Sequence, residues 1–126
     1  MTTTTAPDAK VLVGLTHGPD DAEDVLIAYL MGVEALRAGK EATMWLTKDA
    51  VEVVVKGAVD DIVVEGAPSI TALHDEFVAS GGQFLACPVC VKLRGLTDAL
   101  WADNVTVAGA PSVYEFTAGG ALVFNY

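Results

Sequence analysis

The sequence predicts a single α/β domain, a mostly parallel five-stranded sheet flanked by helices, on three observations. Short apolar runs alternate along the chain with segments of helical periodicity. The first run, Lys10–Leu15 (KVLVGL), is apolar after its opening residue, as a strand covered on both faces must be. Glycine, proline and capping residues punctuate the rest at short intervals, which leaves no linker and no internal repeat. At 126 residues, 52% of them hydrophobic and 7% aromatic, the chain can close one aliphatic core.

Taken in order, residues 1–9 are polar and threonine-rich and are expected to form a frayed or disordered tail, with the domain over 10–126. Thr16-His17-Gly18-Pro19 makes a loop, and Asp20 or Asp21 caps the helix that follows. There Ala22, Val25, Leu26, Tyr29, Val33 and Leu36 recur at three- and four-residue steps, giving one apolar stripe. Asp21, Glu23 and Asp24 suit the positive end of that helix, and Gly39 suits its stop. Glu41–Leu46 (EATMWL) reads as a second strand. Thr47 caps a short helix over 49–55, against the β preference of three consecutive valines. Residues 57–67 are a loop carrying the acidic pair Asp60-Asp61. Pro68-Ser69 opens a helix with Ile70, Leu73, Phe77 and Val78 inward and His74 exposed, closed by Gly81-Gly82. Gln83–Ala86 is a third strand, Val105–Val107 a fourth, 112–118 a short helix and 122–124 a last strand.

The formal charge of −10 argues against a nucleic-acid partner, which needs clustered Lys and Arg, and against an acidic membrane surface. No signal peptide is visible at the start, and the longest apolar runs are too short to cross a bilayer. A cytoplasmic protein is the default. Two closely spaced cysteines there point to redox, sulfur or metal chemistry before a structural staple.

Both cysteines lie in 84–95 (FLACPVCVKLRG), where a buried strand meets a proline. Pro88 suits the first position of a helix and Gly95 its end, so Cys87 takes the N-cap. Unpaired N–H groups there favour thiolate over thiol. Three chemistries fit the Cys-x-x-Cys: a dithiol that cycles through a disulfide, a nucleophile that carries sulfur as a persulfide, or half of a zinc site. Zinc wants four ligands and only His17 and His74 remain to complete the set, so no metal is expected, and no cofactor either. A fourth possibility is structural, two small buried hydrophobes.

If the strands are parallel, His17, Thr47 and Cys87 each follow a strand end and line one edge, where such sheets gather reactive groups. His17 is a candidate base or ion-pair partner for the thiolate, with an idle exposed imidazole as the alternative. Arg94, seven residues beyond Cys87, fixes a loop carbonyl or carboxylate, or holds an anionic substrate. Gly18, before Pro19, offers weak anion-binding geometry. Arg94, Gly18 and Thr47 are the candidate substrate contacts. Trp45 and Trp101 are assigned to core or interface.

The segment 87–95, with its second cysteine three residues on and Arg94-Gly95 after it, resembles the DsrE/DsrF-like (YchN-like) family. So do 15–23 (LTHGPDDAE), between the first strand and first helix, and the ending over 112–124. The resemblance implies a compact parallel fold of flavodoxin-like layering that assembles into homotrimers or homohexamers, with the cysteine loop near subunit contacts. Family members in sulfur relays accept sulfane sulfur on one cysteine and pass it to the next protein. Cys87 matches that relay cysteine, and Cys90 matches a second one that some relatives carry. Sulfur donor and acceptor proteins are therefore the implied partners. Cys90, about one turn away, would act as a resolving thiol that attacks a persulfide on Cys87, releases sulfide and leaves a disulfide. The same pair would serve a dithiol redox protein, and a non-enzymatic oligomeric binding protein with buried thiols is the third reading.

Overall fold

The computed structural model describes residues 9–126; the tail expected over 1–9 lies, apart from Ala9, outside the described residues. Five strands, β1 (Lys10–Leu15), β2 (Glu41–Leu46), β3 (Gln83–Ala86), β4 (Val105–Val107) and β5 (Leu122–Asn125), form one sheet in the order β4-β3-β2-β1-β5. Every pairing in it is parallel. Four α-helices are interleaved: α1 (Ala22–Arg37), α2 (Ile70–Ala79), α3 (Pro88–Leu93) and α4 (Ala110–Thr117).

One face of the sheet carries the core. Alternate strand residues Val13, Leu15, Met44, Leu46 and Phe84 are fully buried, and so are Tyr29 of α1 and Phe77 of α2, which pack over them. Gly32 lets α1 come this close, because a Cβ there would sit 2.8 Å from the Phe77 ring. The caps follow the sequence. Asp21 accepts from the Asp24 N–H at the start of α1, and Ser69 from the Ala72 N–H at the start of α2.

Two local expectations fail. The helix over 49–55 is a 3-10 helix, Lys48–Val54, with the Ala50 N–H bonded to the Thr47 carbonyl; Thr47 holds the cap position but its side chain makes no capping bond. Its valines disfavour an α-helix, yet Val51, Val53 and Val54 are wanted in the core, and a tight 3-10 run buries them without a long helix. A second 3-10 helix, Ala58–Asp61, occupies part of the expected loop. His74 is the other correction: it is 8% exposed, on the α2 face that also carries Ile70 and Phe77. The Tyr29 hydroxyl meets its Nδ1 at 2.7 Å, which makes burial affordable.

The opposite face is covered thinly. α4 contributes no fully buried residue, and it roofs a cleft of about 350 Å3 lined by Lys10, Glu41, Thr43, Gln83, Ser112 and Phe116.

Candidate functional site

The register of the sheet fixes the site. Leu15 pairs with Leu46 and Leu46 with Ala86, so three strands end level. The ladder runs one rung further: the Thr47 N–H donates to the Leu15 carbonyl and the Cys87 N–H to the Leu46 carbonyl. Thr47 and Cys87 are thereby fixed side by side at the carboxyl edge, with His17 in the loop beyond β1.

Cys87 is the N-cap of α3, with extended backbone (φ −60°, ψ 120°), and Pro88 follows in the first helical turn. The Cys87 carbonyl takes the Val91 N–H, and Val91 is the one fully buried side chain of this helix, the peg that seats it. Gly95, at φ 67°, turns the chain away after the Arg94 C-cap. Both thiols are free and partly exposed, so they are not the fully buried pair of the structural alternative.

The two sulfurs are unequal. Burial pushes the Cys87 thiol up, but the Cys90 N–H, the Cys90 thiol, the Val89 N–H and the Arg94 guanidinium outweigh it and hold Cys87 below the usual thiol range. The Val89 and Cys90 N–H groups are those of the first turn of α3. Cys90 is displaced the other way. Burial raises it, and proximity to the Cys87 sulfur adds to that, against the opposing Lys48 N–H and Arg94. One thiol is therefore shifted towards thiolate and its neighbour towards the protonated form.

Arg94 is held on three sides. Its Nε and Nη2 donate to the same Asp49 oxygen, Oδ1, at 2.9 and 2.8 Å, and its Nη1 donates to the Cys90 carbonyl at 3.3 Å. Of the uses foreseen for Arg94, the carboxylate and the carbonyl are the ones its bonds fill. Gly18 is packed against the same turn, where a Cβ would run into the Asp49 carbonyl. Sequence reasoning missed Lys48 and Asp49. Nothing in their spacing from the cysteines signals them, since it is the sheet register that brings the two turns together.

His17 stands on this edge and is paired with carboxylates. Its Nδ1 lies 3.1 Å from Asp20 and its Nε2 3.7 Å from Asp24. The hydrogen bond to Asp20, reinforced by the charges of Asp20, Asp24 and Asp21, raises its pKa. No described contact joins His17 to either cysteine. His17, Asp21 and Asp24 bring one donor atom each within 4.8 Å of one another, the one such convergence among the described residues. The zinc set weighed from the sequence is not assembled: His17 is turned to these carboxylates, and His74 is in the core against Tyr29 and Phe84.

The model of the DsrE/DsrF-like family matches residues 9–126. Among curated proteins, the chain is 23% identical over 101 residues to uncharacterized protein MJ0760 of Methanocaldococcus jannaschii, covering 80% of this chain and 37% of that longer one. It is 28% identical over 98 residues to uncharacterized protein MK0008 of Methanopyrus kandleri, covering 78% of each. Among solved structures, the ychN protein from E. coli superposes with a TM-score of 0.76 at 15% identity, covering 93% of this chain and 98% of that one. MTH1491 from Methanobacterium thermoautotrophicum, a protein of unknown function, gives 0.68 at 18% identity, covering 94% and 100%. These structural likenesses establish the shared fold.

Proposed function

The chain belongs to the DsrE/DsrF-like family, and from that premise we propose that it handles sulfane sulfur, with Cys87 as the acceptor and Cys90 as the resolving thiol. The observation that carries this reading is a pair of free, partly exposed thiols one helical turn apart, Cys87 at the N-cap of α3 and Cys90 within it, displaced in opposite directions. The Cys87 thiolate attacks the outer sulfur of a donor persulfide; the donor's S–S bond breaks, its thiolate leaves, and Cys87 becomes the persulfide. Two exits follow. An acceptor thiolate can take the outer sulfur and return Cys87 as thiolate, with no net oxidation. Otherwise Cys90, once deprotonated, attacks the inner sulfur, hydrosulfide leaves, and a Cys87–Cys90 disulfide forms that an external thiol must reduce.

The donor and acceptor in this proposal are proteins, and the compartment is the cytoplasm, where free thiols persist. No helix among the described residues is long and apolar enough to cross a membrane. Further copies of the chain are the remaining partner, as a homotrimer or homohexamer. Apolar side chains left in the open on α3, β4 and α4, Val89, Leu93, Val107 and Tyr114, support an assembly surface beside the cysteines. In this scheme Thr47, level with Cys87, and Gly18 border the approach to the sulfur. His17, paired with Asp20, keeps a proton available at the same edge.

The test is intact mass after brief exposure to a persulfide donor. The parent and Cys90→Ser should gain one sulfur, about 32 Da, and Cys87→Ser should gain none. Uptake by Cys87→Ser equal to the parent's sinks the proposal. Loss of two hydrogens under mild oxidant with no sulfur adduct would favour the dithiol redox reading, which the same pair supports.

A further inference from the structure

We infer that Asp49 is a positioning residue of the thiol pair: its carboxylate fixes the Arg94 guanidinium against the cysteine helix, and the turn it shares with Lys48 presents a backbone N–H to Cys90.

The geometry is continuous from one turn to the other. Asp49 Oδ1 takes both Nε and Nη2 of Arg94, which spends the planar fork on a single fixed oxygen and leaves Nη1 aimed at the Cys90 carbonyl. The Arg94 side chain is 24% exposed and that of Asp49 45%, so the guanidinium is drawn inward and the carboxylate is the anchor at the rim. Arg94 is the one cation whose charge favours thiolate at both sulfurs. An arginine side chain free of its anchor has several rotatable bonds with which to leave for water.

Lys48 supplies the second half. It is one of two non-glycine residues among those described with positive φ, at 53°, a conformation that costs on the order of 1 kcal/mol or more for a side chain of its type. That backbone turns its N–H towards the Cys90 sulfur. The conformation is held from outside, because the Asp49 carbonyl is packed on Gly18, where no Cβ fits. The turn after β2 thus holds α3 through the Asp49–Arg94 ion pair, with the Lys48 N–H beside Cys90.

The inference rests on the reading of Cys87 as the reacting thiol, but its test needs no sulfur cargo, so the two can fail separately. The measurement is the pH profile of alkylation of each cysteine in the full chain, resolved by peptide mass. Asp49→Ala should move the Cys87 profile to higher pH by about half a unit to one unit, slowing alkylation near neutrality about threefold to tenfold. Asp49→Glu should restore part of that shift. In an Arg94→Gln background, Asp49→Ala should add nothing, since both then remove the same bond. An unchanged profile overturns the inference. So does a downward shift, which would mean that the Cys90 carbonyl alone retains Arg94 and Asp49 only dilutes its charge. An equal shift in the Arg94→Gln background overturns it as well. Should Asp49→Ala fail to fold, Asp49→Asn, equal in size and without charge, is judged by the same criteria.

Discussion

The two faces of the sheet are built to different standards. Under α1 and α2, residues from three strands and two helices are sealed, and the aromatic rings of Tyr29, His74, Phe77 and Phe84 pack edge-on, tilted or stacked with centroids 5.0 to 6.3 Å apart. Under α4 only Leu12 and Thr43 of the central strands are sealed: Trp45 and Leu85 are half-covered, Tyr114 is 74% exposed and Val123 51%. All four rings belong to residues that precede Cys87 in the chain. The difference separates two tasks: the first face holds the fold, and the second, in the assembly proposed above, presents contact surface.

Substitutions on the two faces should therefore behave unlike each other. The largest effect is expected from Phe77→Ala, which empties a fully buried site between Gly32, Gly82 and Phe84 and should cost about 3–5 kcal/mol by denaturant unfolding. A loss under about 1 kcal/mol would mean that the sealed face is not the stabilising one. Next comes the pH response of the buried pair. Burial lowers the His74 pKa below its unfolded value of about 6.5, against the raising influence of Asp75, Asp60 and Asp103. The unfolded chain therefore binds the proton more readily. The His74 contribution to stability is complete above pH 6.5 and is lost as pH falls from there through the folded pKa. Melts taken from pH 7 to 5 should show a decline that Tyr29→Phe, lacking the hydroxyl on Nδ1, changes in extent and that Tyr114→Ala leaves alone. Smallest is Tyr114→Ala itself, which should shift stability by no more than about 0.5 kcal/mol while altering the assembly state seen by light scattering. If stability falls but assembly does not change, α4 belongs to the core after all.

Much of this was legible from residue patterns because the deciding forces are local. The continuous run Lys10–Leu15, the caps at Asp21 and Ser69, and Pro88 beside Cys87 each specify their own conformation within a few residues. Illegible features depend on partners far along the chain. His74 looks like an exposed helix residue until Tyr29, 45 positions away, supplies its hydrogen bond. Asp49 looks like an N-terminal helix acid until Arg94, also 45 positions away, is brought alongside. The 3-10 run Lys48–Val54 gives way to core demand at Val51, Val53 and Val54, which no local preference encodes. His17 shows the converse limit. Topology placed it on the carboxyl edge of the sheet, but its aspartate neighbours decide what the ring binds.

The pairing of β5 with β1 carries a consequence for biosynthesis. Val11 meets Leu122 and Gly14 meets Asn125, across more than a hundred residues of chain. While the polypeptide emerges from the ribosome, β1 can find β2 early but must wait for more than a hundred further residues before its other side is closed. Throughout that interval an almost wholly apolar strand presents an open row of backbone donors and acceptors, the template on which nascent chains adhere to one another. Four late residues, Leu122–Asn125, act as the guard that ends this exposure, and they guard the newborn chain as much as the finished fold.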